Sequence, residues 1–284
     1  MIWLIRRNIG GLGDAVMLEP TISELWENIG EHDEIWLQLL KWISPIFEHH
    51  PKVSSILTEK EDVRSFKTIK TVIDIRCDDD CPAAKYEANN CPNIVTSRQE
   101  IFTKFAGLNY DRRPPRLYLS KEEKYNAEQL KKYTPGIRVG IQLRAAEKWR
   151  DYFYMDNLIW YLCKKTNWHI FLYDKEHAPI IGRAIPVVDK PLREVMWMMS
   201  TMDVMICPDS GLAHISAALG VKTYCIFGPT DPIVRMAPYG NHVYWNDEFK
   251  LCKRSRCWYT PCKRVWCLRL LSPRQIYKDI KQIL

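Results

Sequence analysis

Short apolar runs of strand type alternate with helical stretches along this chain, and this alternation constrains the fold more than any other feature. The strand-like runs are Ile2–Ile5, Ile35–Leu40, Thr71–Ile75, Val139–Leu143, His169–Tyr173, Val204–Cys207 and Thr223–Phe227. Such alternation is typical of α/β proteins with mainly parallel sheets. Hydrophobic residues at 46% and charged residues at 26% are values of globular proteins. We therefore expect a globular α/β protein.

The length of 284 residues is sufficient for two domains of ordinary size. A charged helix is predicted over Glu122–Lys132, and the segment Tyr133–Ile141 (YTPGIRVGI) then restarts the alternation of strand and helix. We place the domain boundary there, which gives domains over 1–134 and 135–271. The remaining residues 272–284 are predicted to form an amphipathic helix, with Ser272 as its N-cap and Pro273 at its first position.

A glycine-rich turn follows the first strand-like run and precedes a helix predicted over Ala15–Trp26. Its pattern, Gly11 and Gly13 followed by Val16, lacks the third glycine of the dinucleotide-binding fingerprint. The turn instead presents Asp14 at the start of a helix. Two interpretations remain open at this point: Asp14 caps the helix and interacts with its dipole, or it has a chemical role.

A second motif spans Ile206–Pro232 (ICPDSGLAHISAALGVKTYCIFGPTDP) and predicts two buried strands, each followed by a polar turn. A helix of small residues lies between them. The N–H groups at the start of such a helix bind phosphate, and Ser210, Gly211 and His214 offer further donors to a diphosphate. The alternative is an ordinary strand–helix–strand unit in which His214 is a core residue.

These motifs together resemble glycosyltransferase family 9, the heptosyltransferase family of lipopolysaccharide synthesis. The resemblance rests on Gly11-Leu12-Gly13-Asp14, on Asp209-Ser210-Gly211 with His214, and on Phe227-Gly228-Pro229-Thr230-Asp231-Pro232. The segments Val72–Arg76 (VIDIR), Lys148-Trp149 and Met236–Gly240 (MAPYG) follow the order of the family as well. The resemblance covers nearly the whole chain.

The resemblance implies the GT-B architecture, in which two Rossmann-like domains face each other across a cleft. The domain over 1–134 would bind the acceptor, and the domain over 135–271 would bind a nucleotide-diphosphate sugar such as ADP-heptose. The family also implies inversion at the anomeric carbon without a catalytic metal ion. Loss of the diphosphate gives a centre of oxocarbenium type, and an acceptor hydroxyl attacks its opposite face.

The same resemblance assigns roles to individual residues of this chain. Asp14 is the expected base, in a turn that Gly11 and Gly13 bring close to the sugar. Asp209 is expected to orient hydroxyls of the donor, and Glu176 its ribose. The other expected donor-binding residues, most of which meet the diphosphate charge, are Lys148, Ser210, Gly211, His214 and Thr230. The chain departs from the family at two places. Gly10-Gly11 stands where the family often has a serine before its Gly-Asp pair. The Arg144–Glu147 turn lacks the residues that usually contact the donor phosphate, and we expect Arg144 to replace them.

Basic residues and cysteines are concentrated near the C-terminus. Nine of the 41 Lys and Arg residues, and none of the 34 acidic ones, lie in the stretch from Phe249 to Lys278, so the net charge of +7 is one local patch. Four of the ten cysteines lie in the same stretch at intervals of five: Cys252, Cys257, Cys262 and Cys267. Four thiolates suit a structural zinc or iron ion. A reduced loop with unligated thiols is the alternative.

We therefore expect an inverting glycosyltransferase that moves heptose to an anionic glycan of lipopolysaccharide type. The basic patch suits contact with phosphorylated headgroups at the inner face of a membrane. No apolar run reaches the ~18 residues of a spanning helix. Arg6 and Arg7 interrupt the apolar run at the start of the chain, so it does not resemble a signal peptide. Both observations predict a cytoplasmic protein. Two alternatives stay open: the same chemistry on a nucleic-acid or protein acceptor, and a nucleic-acid-binding module on an inactive scaffold.

Overall fold

A computed structural model describes residues 1–8, 10–75, 81–90, 93–240, 242–246 and 266–284. The chain forms two compact units. The first unit contains Met1–Tyr118 together with Ile233–Pro238, and the second contains Leu119–Pro232 together with Tyr239–Leu284. Each unit has its own parallel β-sheet with helices, which confirms the predicted α/β class.

The sheet of the first unit has four strands in the order β3-β2-β1-β4, all parallel. Their bounds are β1 Ile2–Arg7, β2 Glu34–Leu39, β3 Ser55–Thr58 and β4 Ile69–Asp74. The chain builds outward from β1 through β2 to β3 and then returns to the other side of β1. The strand order therefore reverses between β1 and β4, and such a reversal opens a crevice at the carboxyl ends of the two strands.

In the described part of residues 1–118, four α-helices accompany this sheet: α1 Leu12–Val16, α2 Glu19–Asn28, α3 Pro82–Asn90 and α4 Arg98–Phe105. The single helix predicted over Ala15–Trp26 is wrong, because two helices cover this range. Pro20 lies in the first turn of α2, where its missing N–H costs nothing, and it favours a new helix start at that point. The hydroxyl of Ser97 accepts the N–H of Glu100 and so caps α4.

The sheet of the second unit has six parallel strands in the order β10-β9-β8-β5-β6-β7. Their bounds are β5 Arg138–Gln142, β6 His169–Asp174, β7 Ile185–Val188, β8 Val204–Pro208, β9 Thr223–Ile226 and β10 Val243–Trp245. Strands β5 to β7 extend in one direction, and β8 to β10 extend in the other. The order therefore reverses between β5 and β8, which places a second crevice at the carboxyl ends of these two strands.

The helices of the rest of the chain are α5 Lys121–Tyr133, α6 Met155–Lys165, α7 Leu192–Met199, α8 Gly211–Ala218, α9 Pro232–Met236, α10 Trp266–Arg269 and α11 Pro273–Ile283. The predicted C-terminal helix is confirmed: the hydroxyl of Ser272 accepts the N–H of Gln275, and Pro273 is its first residue. Ile276 and Ile280 of α11 join Leu158 and Leu162 of α6 in one buried cluster. Within the described ranges, no helix has the length and hydropathy needed to cross a membrane.

The division between the two units lies ahead of α5, whereas the sequence analysis places it after that helix, at 134. Helix α5 belongs to the second unit because its Glu123 pairs with Arg193 of α7. The Nε of Arg193 donates to Glu123 over 2.7 Å, and both side chains are about 13% exposed. The segment Ile233–Pro238 returns to the first unit, and no pattern in the sequence indicates this return.

Candidate functional site

Polar side chains meet where the strand order of the second unit reverses. Gln142 is the last residue of β5, and Asp209 and Ser210 directly follow β8. The hydroxyl of Ser210 donates to the side-chain oxygen of Gln142, and both residues are buried. The predicted Asp-Ser-Gly motif therefore lies at the edge of the sheet where open α/β sheets bind ligands.

Asp209 connects the turns that follow two neighbouring strands. The hydroxyl of Thr230, in the turn after β9, donates to Oδ2 of Asp209 over 2.6 Å. The Nη1 of Arg150 lies 3.8 Å from the same carboxylate oxygen, and the Arg150 guanidinium stacks 4.7 Å from the ring centre of Trp149. Asp209 and Thr230 are both buried. Two of the predicted donor-binding residues are thus brought together, with Arg150 as an additional cation.

Helix α8 begins at Gly211, directly at this point. Ser210 is its N-cap residue, but its side chain is turned to Gln142 and does not cap the helix. The first-turn N–H groups therefore do not have the capping oxygen that serine usually supplies. His214 lies on the buried side of α8, where its Nδ1 is 2.8 Å from the hydroxyl of Tyr239.

The segment that carries Thr230 is held at its start by Asn246. The side chain of Asn246 accepts the N–H of Phe227 over 2.7 Å and donates to the Phe227 carbonyl over 3.0 Å. Gly228 comes next, and a Cβ atom there would lie 3.0 Å from Cδ1 of Leu268. A side chain at this position would therefore press against Leu268.

Three of the predicted residues near β5 and β6 are more exposed. Lys148 is on an exposed 3₁₀ turn, Lys148–Arg150, and the Glu176 side chain is 76% exposed. Arg144 donates from Nε to Asp174 over 2.8 Å, and its Nη2 bonds the other oxygen of the same carboxylate. Burial alone raises the pKa of Asp174, but the hydrogen bonds from Arg144 and from the Glu176 and His177 N–H groups outweigh it, so the pKa is lowered. Arg144 is therefore held by Asp174.

In the first unit, Asp14 follows β1 at the reversal of strand order between β1 and β4. Its Oδ1 accepts a hydrogen bond from Arg98, while its Oδ2 accepts the Gly11 N–H over 3.3 Å and lies 3.6 Å from Nη2 of Arg7. Gly10 has a φ of +105°, and a Cβ atom there would lie 2.9 Å from the same Arg7 nitrogen. The turn therefore requires glycine at position 10.

The electrostatic surroundings of Asp14 favour its charged form. Burial disfavours a carboxylate, but the guanidinium groups of Arg98, Arg7 and Arg235 outweigh burial and hold the pKa of Asp14 well below its usual range. Behind Arg98 lies Glu87, which is fully buried and accepts two hydrogen bonds from it. Asp14 is therefore an ionised carboxylate inside a network of charges.

This geometry agrees with what the chain matches among known proteins. Residues 188–260 match the family model described as glycosyltransferase family 9 (heptosyltransferase). The fold matches a solved glycosyl transferase family 9 structure from Veillonella parvula with a TM-score of 0.76 and 12% identity, over 99% of this chain and 96% of that one. Over residues 188–260 the chain is similar to glycosyltransferase family 9, and over nearly its whole length it has the fold of a solved protein of that family.

Two further proteins are similar to this chain. Lipooligosaccharide heptosyltransferase 2 of Campylobacter jejuni is 32% identical over 85 residues, which is 28% of this chain. The match spans only 26% of the length of that curated relative. The iron-containing dodecameric glycosyltransferase TibC from enterotoxigenic E. coli has a TM-score of 0.73 and 16% identity, over 99% of this chain and 75% of that one. TibC has also been solved in complex with ADP-D-beta-D-heptose.

The predicted cysteine site falls mainly on Cys252, Cys257 and Cys262, which lie outside the described residues. Cys267 is described: it lies on α10, is 8% exposed, and packs into the apolar core of the second unit. In the described part of the chain, no group of three or more His, Cys, Asp or Glu residues is arranged to hold a metal ion. The metal site stays a prediction.

Several residues that contact the predicted ones, at the two reversals of strand order, were not predicted from the sequence. Arg98 and Glu87 contact Asp14 or its partner from helices far away in the sequence, and Arg98 is 84 positions from Asp14. Gln142 gave no signal because it ends a buried strand. Arg150 could have been predicted, since it directly follows the Lys148-Trp149 pair of the family pattern.

Proposed function

We propose that this protein transfers heptose from ADP-heptose to an anionic glycan acceptor of lipopolysaccharide type, with inversion at the anomeric carbon and without a catalytic metal ion. The match of residues 188–260 to the family 9 model supports the class of reaction. The complex of TibC with ADP-D-beta-D-heptose supports the donor, and the lipooligosaccharide heptosyltransferase of Campylobacter jejuni supports the acceptor class. The observation that carries the proposal is that the family's Asp-Ser-Gly and Gly-Asp turns both lie where a strand order reverses.

The second unit is the proposed binding site of the donor. Helix α8 begins at Gly211, and the N–H groups of its first turn are proposed to bind the diphosphate. These backbone groups attract an anion even where no charged side chain contributes. Arg150 adds positive charge beside this helix start, and Lys148 is the second cation proposed for the diphosphate. Asp209 with Thr230 orients donor hydroxyls. His214 supports the helix from its buried side through Tyr239, and Glu176 contacts the ribose. Positive groups in fixed positions stabilise the diphosphate as it leaves.

The proposed transfer breaks the bond between the anomeric carbon and the diphosphate oxygen. A hydroxyl oxygen of the acceptor forms the new bond from the opposite face, so the configuration inverts. The acceptor proton passes to the Asp14 carboxylate, and ADP leaves with the electron pair of the broken bond. Atoms and charges balance without a further reactant.

The lowered pKa of Asp14 is compatible with this role. A carboxylate of low pKa is a weak base toward a free hydroxyl. The attacking hydroxyl becomes strongly acidic only as its oxygen bonds to the oxocarbenium-like carbon, so proton transfer is late and needs position more than basicity. Gly11 and Gly13 allow the backbone of the turn to approach the reacting atoms closely.

The basic stretch 249–278 is proposed to contact the phosphorylated headgroups around the acceptor at the inner face of a membrane. Its described part presents Trp266, which is 51% exposed, and Arg269, whose guanidinium lies 4.8 Å from the ring centre of Phe153. Cations beside exposed aromatic rings suit an anionic interface. Binding to anionic but not to neutral vesicles, lost above about 0.5 M salt, is the expected result.

We also propose that Cys252, Cys257, Cys262 and Cys267 hold a structural zinc or iron ion. Thiolates are suitable ligands for both ions. The iron in TibC, a protein of the same fold, supports this assignment. About one metal ion per chain is expected by elemental analysis, and serine at Cys257 is expected to remove it. Metal-free protein that is equally stable contradicts the assignment.

The direct test of the proposed base is Asp14→Asn. Release of ADP from ADP-heptose, with heptose-free lipooligosaccharide as acceptor, should fall by about 100-fold to 10,000-fold. Affinity for ADP-heptose, measured by calorimetry, should change little, because Asp14 lies in the first unit. Asp33→Asn is the matched control, since its side chain is also 17% exposed and paired with a positive charge. Equal turnover of Asp14→Asn and Asp33→Asn would exclude Asp14 as the base.

A further inference from the structure

A buried pair of opposite charges lies directly behind Asp14. Glu87 of α3 accepts Nε of Arg98 over 2.7 Å at one oxygen and Nη2 of Arg98 over 2.6 Å at the other. This two-point contact fixes the plane of the guanidinium, because its N–H groups form a rigid fork. The remaining nitrogen, Nη1, contacts Oδ1 of Asp14. The orientation of Glu87 is thereby transmitted to one oxygen of Asp14.

The second oxygen of Asp14 has contacts from its own turn and from β1. The Gly11 N–H donates to Oδ2, and Nη2 of Arg7 lies 3.6 Å away. Arg7 is held by its own partners: its Nη1 donates to the Ile75 carbonyl over 3.1 Å, and its guanidinium stacks 4.5 Å from the ring centre of Phe102. The two oxygens of Asp14 therefore have different neighbours, and Arg98 is the neighbour at Oδ1.

We propose that Arg98, fixed by Glu87, is a positioning residue that orients the Asp14 carboxylate for proton transfer from the acceptor. The inference rests on the proposed function, because it assumes that Asp14 receives that proton. Arg98 does not touch the reacting atoms in this account and acts only through Asp14. Glu87 acts one step further back by holding Arg98.

The charges that face Asp14 come from four elements. The three cations are Arg7 on β1, Arg98 on α4 and Arg235 on α9. The fourth charge is Glu87 on α3, whose Oε1 lies 3.8 Å from Nη1 of Arg235. Burial raises the pKa of Asp14 and the three cations lower it. Without Arg98, burial is opposed by fewer cations, so the pKa of Asp14 rises. Replacement of Arg98 therefore changes both the orientation and the titration of Asp14.

The titration of Asp14 is measurable without any substrate. Full-length protein labelled with ¹³C at the aspartate carboxyls, with Asp14→Asn to assign the resonance, reports the pH at which Asp14 takes a proton. In the unsubstituted protein we expect Asp14 to stay ionised at pH values below the ordinary aspartate pKa of about 3.9. In Arg98→Gln we expect its titration at least about one pH unit higher. A resonance that titrates near pH 4 in the unsubstituted protein overturns the proposal, and this result requires no variant to fold.

Turnover gives the second measurement. Arg98→Gln should lower kcat for ADP release from ADP-heptose by about 10-fold to 100-fold and leave KM for ADP-heptose unchanged. Arg98→Lys keeps the positive charge, so it should keep most of the effect on the Asp14 titration, but it cannot make the two-point contact with Glu87. Its kcat should therefore lie between the kcat of Arg98→Gln and that of the unsubstituted protein. Arg193→Gln is the control, because Arg193 is also 13% exposed and also pairs with a glutamate, in the second unit.

The outcomes separate this inference from the proposed function. If Arg98→Gln leaves both the Asp14 titration and kcat unchanged, Arg98 does not position Asp14. If kcat falls equally in Arg98→Gln and Arg193→Gln while the titration stays the same, the effect is structural and the proposal also fails. If the unsubstituted protein releases no ADP with any acceptor, the proposed function fails, and the catalytic part of the inference fails with it.

Discussion

Asn246 offers the clearest quantitative prediction, because one side chain satisfies two backbone groups at the end of β9. Its amide accepts the Phe227 N–H over 2.7 Å and donates to the Phe227 carbonyl over 3.0 Å, and the residue is 2% exposed. Asn246→Ala removes both partners at once. The N–H and the carbonyl of Phe227 are then buried without the hydrogen bonds that the folded chain provides.

The magnitude follows from these two groups. Each buried backbone group without a partner costs about 1 to 3 kcal/mol, so the free energy of unfolding should fall by about 2 to 6 kcal/mol. In a domain of this size, each kcal/mol lowers Tm by about 2 to 4 °C, so Tm should fall by at least about 4 °C. Because Phe227 leads into Gly228 and Thr230, the affinity for ADP-heptose should weaken as well.

Differential scanning calorimetry of the full chain measures this effect. Asn28→Ala is the control, since Asn28 makes a single side-chain bond to the Glu24 carbonyl from an exposed position, and its loss should cost below about 1 kcal/mol. In Asn246→Asp, a carboxylate faces the Phe227 carbonyl and is stabilised only when protonated. Its instability should therefore decrease as the pH falls. A Tm for Asn246→Ala within about 1 °C of the unsubstituted protein would refute the reasoning.

Three further predictions concern the site and its surroundings. Gly10→Ala places a Cβ 2.9 Å from Nη2 of Arg7 at a φ of +105°. The free energy of unfolding should fall by roughly 1 to 3 kcal/mol, and the rate of ADP release should also fall. An unchanged Tm in calorimetry together with unchanged turnover would contradict this prediction. Thr230→Val removes the 2.6 Å bond to Asp209 and should weaken ADP-heptose binding by about tenfold in isothermal titration, a result that equal affinities would exclude. Arg144 lowers the pKa of Asp174. The ion pair between the two side chains therefore stabilises the fold above about pH 4, and this stabilisation is lost as the pH falls through the lowered pKa of Asp174. The Tm difference between Arg144→Gln and the unsubstituted protein should shrink on acidification, and a difference that grows would show that another interaction dominates.

The interior strands of both sheets were predictable from the sequence, because buried parallel strands are short continuous apolar runs. The strands that the sequence analysis missed, β3, β7 and β10, are edge strands of four, four and three residues. An edge strand buries less side-chain surface, so its sequence carries little apolar signal. The unit boundary was displaced because a charged helix such as α5 gives no indication of the sheet on which it packs.

The candidate site was predictable where one short motif carries it, as in the turns around Asp14 and Asp209. The partners of these residues were not predictable, because tertiary folding brings them together. Arg98 reaches Asp14 across 84 positions, and Gln142 reaches Ser210 across 68. His214 shows a further limit: its place in the first turn of α8 predicts a phosphate contact, and nothing in the sequence indicates that its Nδ1 lies 2.8 Å from the hydroxyl of Tyr239.

Thermal unfolding of the full chain with ADP-heptose, compared with UDP-, GDP- and CMP-sugars, tests the central claim most directly. Each titration is repeated in EDTA against ligand-free protein in EDTA, so that removal of a structural ion does not affect the comparison. A donor at 100 times its Kd stabilises by about 2.7 kcal/mol, or about 5 to 10 °C in Tm. The account predicts this shift with ADP-heptose alone, of equal size with and without EDTA. No shift with ADP-heptose, or a shift with ADP-heptose that EDTA abolishes, would contradict it.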